Sequence, residues 1–143
     1  MSEKLFLVAH IAGRAVAIDA AQVESVVDLG QSVPVPGARA EVLGLAALRS
    51  RVVTVIDTLV ALGLPSYGAP GRRAVITRVD EHLYAVPVDM LEDVAPFEPA
   101  PLPVGLHLDG RWADIGRGLV TRDGEALLVI DLGSLVPTIA QAA

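Results

Sequence analysis

The chain carries nearly the same passage twice. Gly44-Leu45-Ala46-Ala47-Leu48-Arg49-Ser50-Arg51-Val52-Val53-Thr54-Val55-Ile56-Asp57 returns as Gly118-Leu119-Val120-Thr121-Arg122-Asp123-Gly124-Glu125-Ala126-Leu127-Leu128-Val129-Ile130-Asp131, an offset of 74 (57 to 131). Each copy reads Gly-Leu, a short polar turn, a run of branched apolar residues and then Ile-Asp. A second pair agrees: Ala17-Ile18 with Val23-Glu24-Ser25-Val26 against Ala85-Val86 with Leu91-Glu92-Asp93-Val94, an offset of 68 (23 to 91). The difference between the two offsets marks a loop insertion in the later half. Solenoids and propeller blades repeat every ~20–50 residues. A longer period implies two small, similarly folded units in one chain.

With 143 residues, each unit is short of core on its own and must pack on the other. Hydrophobic residues make up 52%, which excludes a disordered tail. The longest charge-free stretch, Thr58 to Gly71, is broken by Pro65, Pro70 and glycines, so it does not read as a membrane span. Met1-Ser2-Glu3-Lys4 runs straight into a strand-like segment without a signal-sequence pattern. The absence of cysteine excludes disulfides and thiolate chemistry and fits a cytoplasmic location. A net charge of −6 argues against nucleic acid, whose binding rests on Lys and Arg. The expected partner is protein.

Along the chain, Leu5 to Ile11 and Ala15 to Ile18 predict a β-hairpin across Ala12-Gly13-Arg14. Asp19-Ala20-Ala21-Gln22 has the form of a capping box and predicts a two-turn helix with Val23, Val26 and Val27 on one face. Val33-Pro34-Val35-Pro36-Gly37 must be extended. Val42–Leu48 and Val52–Ile56 read as a hairpin across Arg49-Ser50-Arg51, after which Asp57 caps a short helix to Leu62. The turn-rich Ser66–Gly71 is the expected boundary. The second half repeats the order: a hairpin across Asp80-Glu81-His82, a helix Met90–Val94 capped by Asp89, a proline-rich connection, and hairpins turning at Asp109-Gly110 and Asp123-Gly124. The expected fold class is all-β, two packed small barrels with a few short helices. The expected subdomains are 12–68 and 72–136, with strand 5–11 and the C-terminal segment free to cross between them.

Little here has the pattern of catalysis. Asp57 and Asp131 occupy matching positions and could form a paired-carboxylate site with His10 or His107. Each also stands where a strand ends and a helix begins, where an Asp caps free backbone N–H groups. The same reading covers Asp19 and Asp89. His10, His82 and His107 lack metal-ligand spacing, and Ser25, Ser50 and Ser134 lack a nucleophile-elbow context. No cofactor or metal is implied. Arg49 and Arg51 form a basic hairpin tip, readable as a solvated turn or as a contact surface.

These segments resemble the CheW family of bacterial chemotaxis adaptors. The likeness rests on Phe6-Leu7-Val8, Ala17-Ile18, Val23-Glu24-Ser25-Val26, Val33-Pro34-Val35-Pro36-Gly37 and Val42 to Asp57. Val86-Pro87-Val88-Asp89-Met90-Leu91-Glu92-Asp93-Val94 and Leu127 to Asp131 extend it, so that it spans about Leu5 to Val136. It implies two five-stranded SH3-like barrels with a hydrophobic groove between them. It implies a non-catalytic adaptor coupling transmembrane chemoreceptors to the histidine kinase CheA, with the receptor's helical tip in the groove and barrel ends against the kinase regulatory domain. By position, Val23 matches a groove residue (Val26 and Val27 share its apolar stripe), Gly44 a substitution-sensitive glycine, and Arg49 the arginine of an Asn-Leu-Arg-Gly turn. This chain has Ala47 and Ser50 where the family has Asn and Gly. A scaffold of a non-flagellar array, for surface motility or another output, is the alternative within the family. A tandem-barrel protein with a small-molecule partner is the alternative outside it.

Overall fold

A computed structural model describes residues 3–65 and 73–136. The strands are β1 (Lys4–Ile11), β2 (Arg14–Asp19), β3 (Ser25–Asp28), β4 (Val42–Leu48), β5 (Arg51–Ile56), β6 (Arg73–Val79), β7 (His82–Pro87), β8 (Met90–Phe97), β9 (Gly116–Arg122) and β10 (Glu125–Ile130). Three short helices follow strand ends or loops: α1 (Thr58–Ala61), α2 (Arg111–Ile115) and α3 (Leu132–Leu135). The strands form two five-stranded sheets, ordered β8-β1-β2-β10-β9 and β3-β6-β7-β5-β4. The fold is all-β and fits two SH3-like subdomains, although neither sheet closes into a hydrogen-bonded ring among the described residues.

The two repeats interleave. β1 and β2 pair with β8 and, in parallel, with β10; β6 and β7 pair with β3 and, in parallel, with β5. Equivalent residues make equivalent pairs: Thr54 opposes Tyr84 in one parallel pair and Leu128 opposes Val16 in the other. One sheet is built within 25–87 and the other from 4–19 together with 90–130. The boundary expected at Ser66–Gly71 lies outside the described residues.

Two helices expected from capping boxes are strands. Asp19 does accept from the Ala21 N–H at 2.9 Å, but only a 3-10 turn, Ala20–Gln22, follows before β3. The valines there are spaced for either element, and tertiary pairing decides. Ser25 to Asp28 complete the ladder of β6, and successive side chains go to opposite faces. The predicted helix Met90–Val94 is the start of β8, so Asp89 is not a helix cap; its Oδ2 accepts from the Gly13 N–H at 2.8 Å. Asp109-Gly110 opens α2 and does not turn a hairpin. The tips at Arg49-Ser50, Asp80-Glu81 and Asp123-Gly124 are two-residue hairpin turns.

Strand alternation divides the core in three. Leu7, Ile11, Val16, Ile18, Ile56, Val75, Val86 and Ile130 meet between the sheets, with Trp112, Leu132 and Leu135. Val53, Val55, Ala74, Ile76 and Ala85 form a core within the second sheet; Phe6, Val8, Ala17, Val120, Leu127 and Val129 form one within the first. Arg14 lies 4.9 Å from the Trp112 ring centroid, a cation–π contact from β2 to α2.

Candidate functional site

The second sheet's edge strands, β3 and β4, leave a groove between β3 and the tip of the β4–β5 hairpin. It encloses about 620 Å3 and is lined by Val26, Val27, Leu48, Arg49, Val53 and Ile76 among others. Val26 also packs toward the core between the sheets and Val27 toward the core of its own sheet, as neighbours on a strand must. The structure thus brings three sequence-selected residues, Val26, Val27 and Arg49, to one place. The residues reach it through pairings that no local pattern encodes.

Arg49 begins the two-residue turn between Leu48 and Arg51 with φ 57°, a left-handed conformation that suits glycine. Ser50, the second residue of the turn, is outside the positive-φ region. Every other described Lys or Arg has a carboxylate partner, or for Arg14 an aromatic one; Arg49 has none among the described residues and is exposed. Its neighbour Arg51 reaches Glu24 at 3.5 Å, and Arg78 reaches the same carboxylate at 2.9 Å. The bond from Arg78, then that from Arg51, holds the Glu24 carboxyl below its usual range against partial desolvation. The groove therefore has an apolar floor of Val26, Val27, Val53 and Ile76 and, on its rim, one guanidinium without a carboxylate partner among the described residues.

Val23 and Gly44 lie elsewhere. Val23 is half-buried against the core between the sheets, just before β3. Gly44 is buried in β4 beneath a strap, where Val33 exchanges two backbone hydrogen bonds with Leu45, at 2.8 and 2.9 Å. A Cβ on Gly44 would sit 2.3 Å from the Val33 carbonyl oxygen. Its repeat partner Gly118 has the same place: Ala100 exchanges bonds with Leu119, and a Cβ on Gly118 would sit 2.6 Å from the Ala100 oxygen. Both glycines admit a crossing backbone to a sheet edge.

The paired aspartates cap. Asp57, 8% exposed, accepts from the Val60 N–H at 3.2 Å. Asp131 accepts from the Gly133 N–H at 3.2 Å, from Ser134 Oγ at 2.7 Å and from Gln22 Nε2 at 2.5 Å, with Arg117 at 3.4 Å. Burial opposes ionisation of Asp131, but these donors outweigh it and hold the carboxyl below its usual range. The histidine partners proposed for an acid/base site are engaged elsewhere: His10 with Glu92 at 2.5 Å and the exposed His107 with Asp109 at 3.7 Å.

The interface between the sheets is filled by the largest core, and openings along it carry charge. One of about 530 Å3 is bordered by Arg39, Glu41, Arg111 and Asp114; another of about 510 Å3 by Gln22, Glu24, Arg78 and Asp80. The apolar groove that holds the predicted residues lies at the open edge of one sheet, not between the two. Sequence reasoning missed Gln22, Glu24 and Glu92 as organising residues. The recurrence of glutamate at 24 and 92 within the second repeat was the available signal.

A CheW-like domain family model matches residues 5–140. Among solved structures, the scaffolding protein TtCheW from Thermoanaerobacter tengcongensis superposes with a TM-score of 0.81 at 21% identity, over 100% of this chain and 98% of that one. No curated protein sequence matches. Nearly the whole length is covered by the family model and the fold agrees throughout: the chain belongs to the CheW-like domain family.

Proposed function

We propose that the chain is a non-catalytic adaptor that couples transmembrane chemoreceptors to a CheA-type histidine kinase, acting in the cytoplasm at membrane-associated receptor arrays. The observation that carries the reading is the groove lined by Val26, Val27 and Arg49, an exposed arginine with no carboxylate partner among the described residues. An apolar floor with a charged rim suits one face of an amphipathic helix, here the helical tip of a receptor. Arg49 then fixes register and rejects wrong partners. Val23 and Gly44 act at one remove, Val23 by seating β3 on the core and Gly44 by admitting the strap over β4. Weak individual contacts suffice, because an array multiplies them. The kinase regulatory domain meets a barrel end.

The test is recruitment of Arg49→Glu to membranes that carry chemoreceptor and CheA-type kinase, with thermal unfolding measured alongside. The reading expects unchanged unfolding and a loss of recruitment and kinase control. Normal recruitment by this variant would remove Arg49 from the site. Failure of the unmodified chain to bind either partner would remove the adaptor assignment.

A further inference from the structure

The internal repeat places Glu24 and Glu92 at equivalent positions, and each is held by two basic side chains. Glu24 takes Arg78 of β6 at 2.9 Å and Arg51 of β5 at 3.5 Å. Glu92 takes His10 of β1 at 2.5 Å and Arg122 of β9 at 2.8 Å. His10 and Arg78 are themselves equivalent, each the next-to-last residue of its strand. The second cations are not equivalent, since the 74-residue offset matches Arg51 to Glu125 and Arg122 to Leu48. At the position the two halves share, a permanently charged guanidinium serves one sheet and an imidazole serves the other.

The clasp of the first sheet spans its open side. β8 and β9 are the two edges of that sheet, with no strand pairing between them. Glu92 lies on β8 and Arg122 ends β9, so their ion pair joins the edges while His10 grips Glu92 from β1. The other charges facing the cluster are few. Glu125 lies 3.8 Å from Arg122, and Asp123 also acts on Arg122. On β8 and its approach, Asp93 bonds the Val94 N–H, and Asp89 faces Gly13 while its own N–H donates to the His10 carbonyl at 2.7 Å. On β2, Ala15 opposes His10 and Arg14 turns to Trp112. The His10 and Glu92 side chains are 27% and 29% exposed, open to solvent protons yet not fully solvated. Glu92 stays ionised through neutral pH, because the His10 bond and then Arg122 hold its carboxyl below its usual range.

We propose that His10 makes the closure of the first sheet pH-sensitive: protonated, it completes a two-cation clasp on Glu92 that fastens β8 toward β9, and neutral, it leaves Arg122 alone to hold that side. An imidazole can gain or release a proton where a guanidinium keeps its charge, so the second sheet, clasped by Arg78, lacks this device. This inference is independent of which partners the groove binds.

The experiment is amide hydrogen exchange of Leu91–Ala95 followed by NMR from pH 5.5 to 8.5, divided by the intrinsic exchange rates. Protection of β8 is expected to fall about two- to fivefold as the imidazole loses its proton, the size of a partly exposed ion pair. His10→Arg should stay protected across the range. The reciprocal Arg78→His should transfer the pH dependence to Val26 and Val27 of β3, a gain that loss of folding cannot mimic. Wild-type pH dependence persisting in His10→Arg, or a flat profile for β3 in Arg78→His, would overturn the proposal.

Discussion

Gln22 and Asp131 are 109 positions apart in sequence, and their side chains meet at 2.5 Å, the amide of one donating to the carboxylate of the other. Gln22 Oε1 also accepts from the Leu132 N–H at 3.0 Å. One side chain at the point where the chain leaves the first sheet for the second is thereby tied to the start of α3. Gln22→Ala removes both bonds and leaves a partly buried N–H without its partner. Equilibrium urea unfolding is expected to show a loss of about 1–3 kcal/mol, with the m-value unchanged.

The straps over the sheet edges give a paired prediction. Alanine at Gly44 or Gly118 drives a Cβ into the carbonyl of Val33 or Ala100. Backbone cannot yield as a flexible side chain would. Each substitution is expected to cost about 1–3 kcal/mol, and Gly44→Ala, with the closer approach, costs more. Denaturant midpoints of the two variants check the order. Equal stability to the parent at both positions would mean that the straps move aside freely.

Arg49 separates turn geometry from side-chain chemistry. Glycine accepts the positive φ observed there, so Arg49→Gly should keep stability within about 0.5 kcal/mol of the parent. It should still lose recruitment to receptor–kinase membranes, as Arg49→Glu does. Recruitment retained by Arg49→Gly but lost by Arg49→Glu would show that the groove needs only the absence of negative charge. Lysine is expected to restore recruitment only in part, since it lacks the planar fork of arginine.

Asp131 predicts an acid limb. Its folded carboxyl titrates below the usual range, so the unfolded chain takes up the proton first as pH falls. The stabilisation is full above the unfolded value, about 3.9, and is lost as pH falls through the folded one. Asp131→Asn should therefore be less stable than the parent at pH 5–7, with the gap narrowing below about pH 4. Urea unfolding as a function of pH measures it; a gap that stays constant down to pH 3 would assign the effect to packing alone.

The hairpins were legible because turn chemistry and strand composition are local. The caps at Asp57 and Asp131 were legible because an aspartate between an apolar strand and a short apolar run has one ready task. β3 and β8 were misread as helices for a physical reason. Val26 and Val27 are both covered, one from each side, so the polar alternation that marks a half-buried strand is missing. The strands they complete lie about fifty or more residues away in each case, at β6 and β1, and no local signal reports such pairing. The groove shared its fate: its three predicted residues were found singly, and only the long-range ladders place them together.

The reciprocal exchange of strands has a consequence for synthesis. β1 and β2 are synthesised before the inner sheet, yet the sheet they belong to is completed by β8, β9 and β10, which are synthesised after it. Until then Phe6, Val8 and Ala17, whose cover is Val120, Leu127 and Val129, have no permanent cover, while the sheet built within 25–87 can already assemble. Translation order therefore makes the inner sheet a template on which the split one matures, and the interval between them is when a nascent chain is most exposed to aggregation.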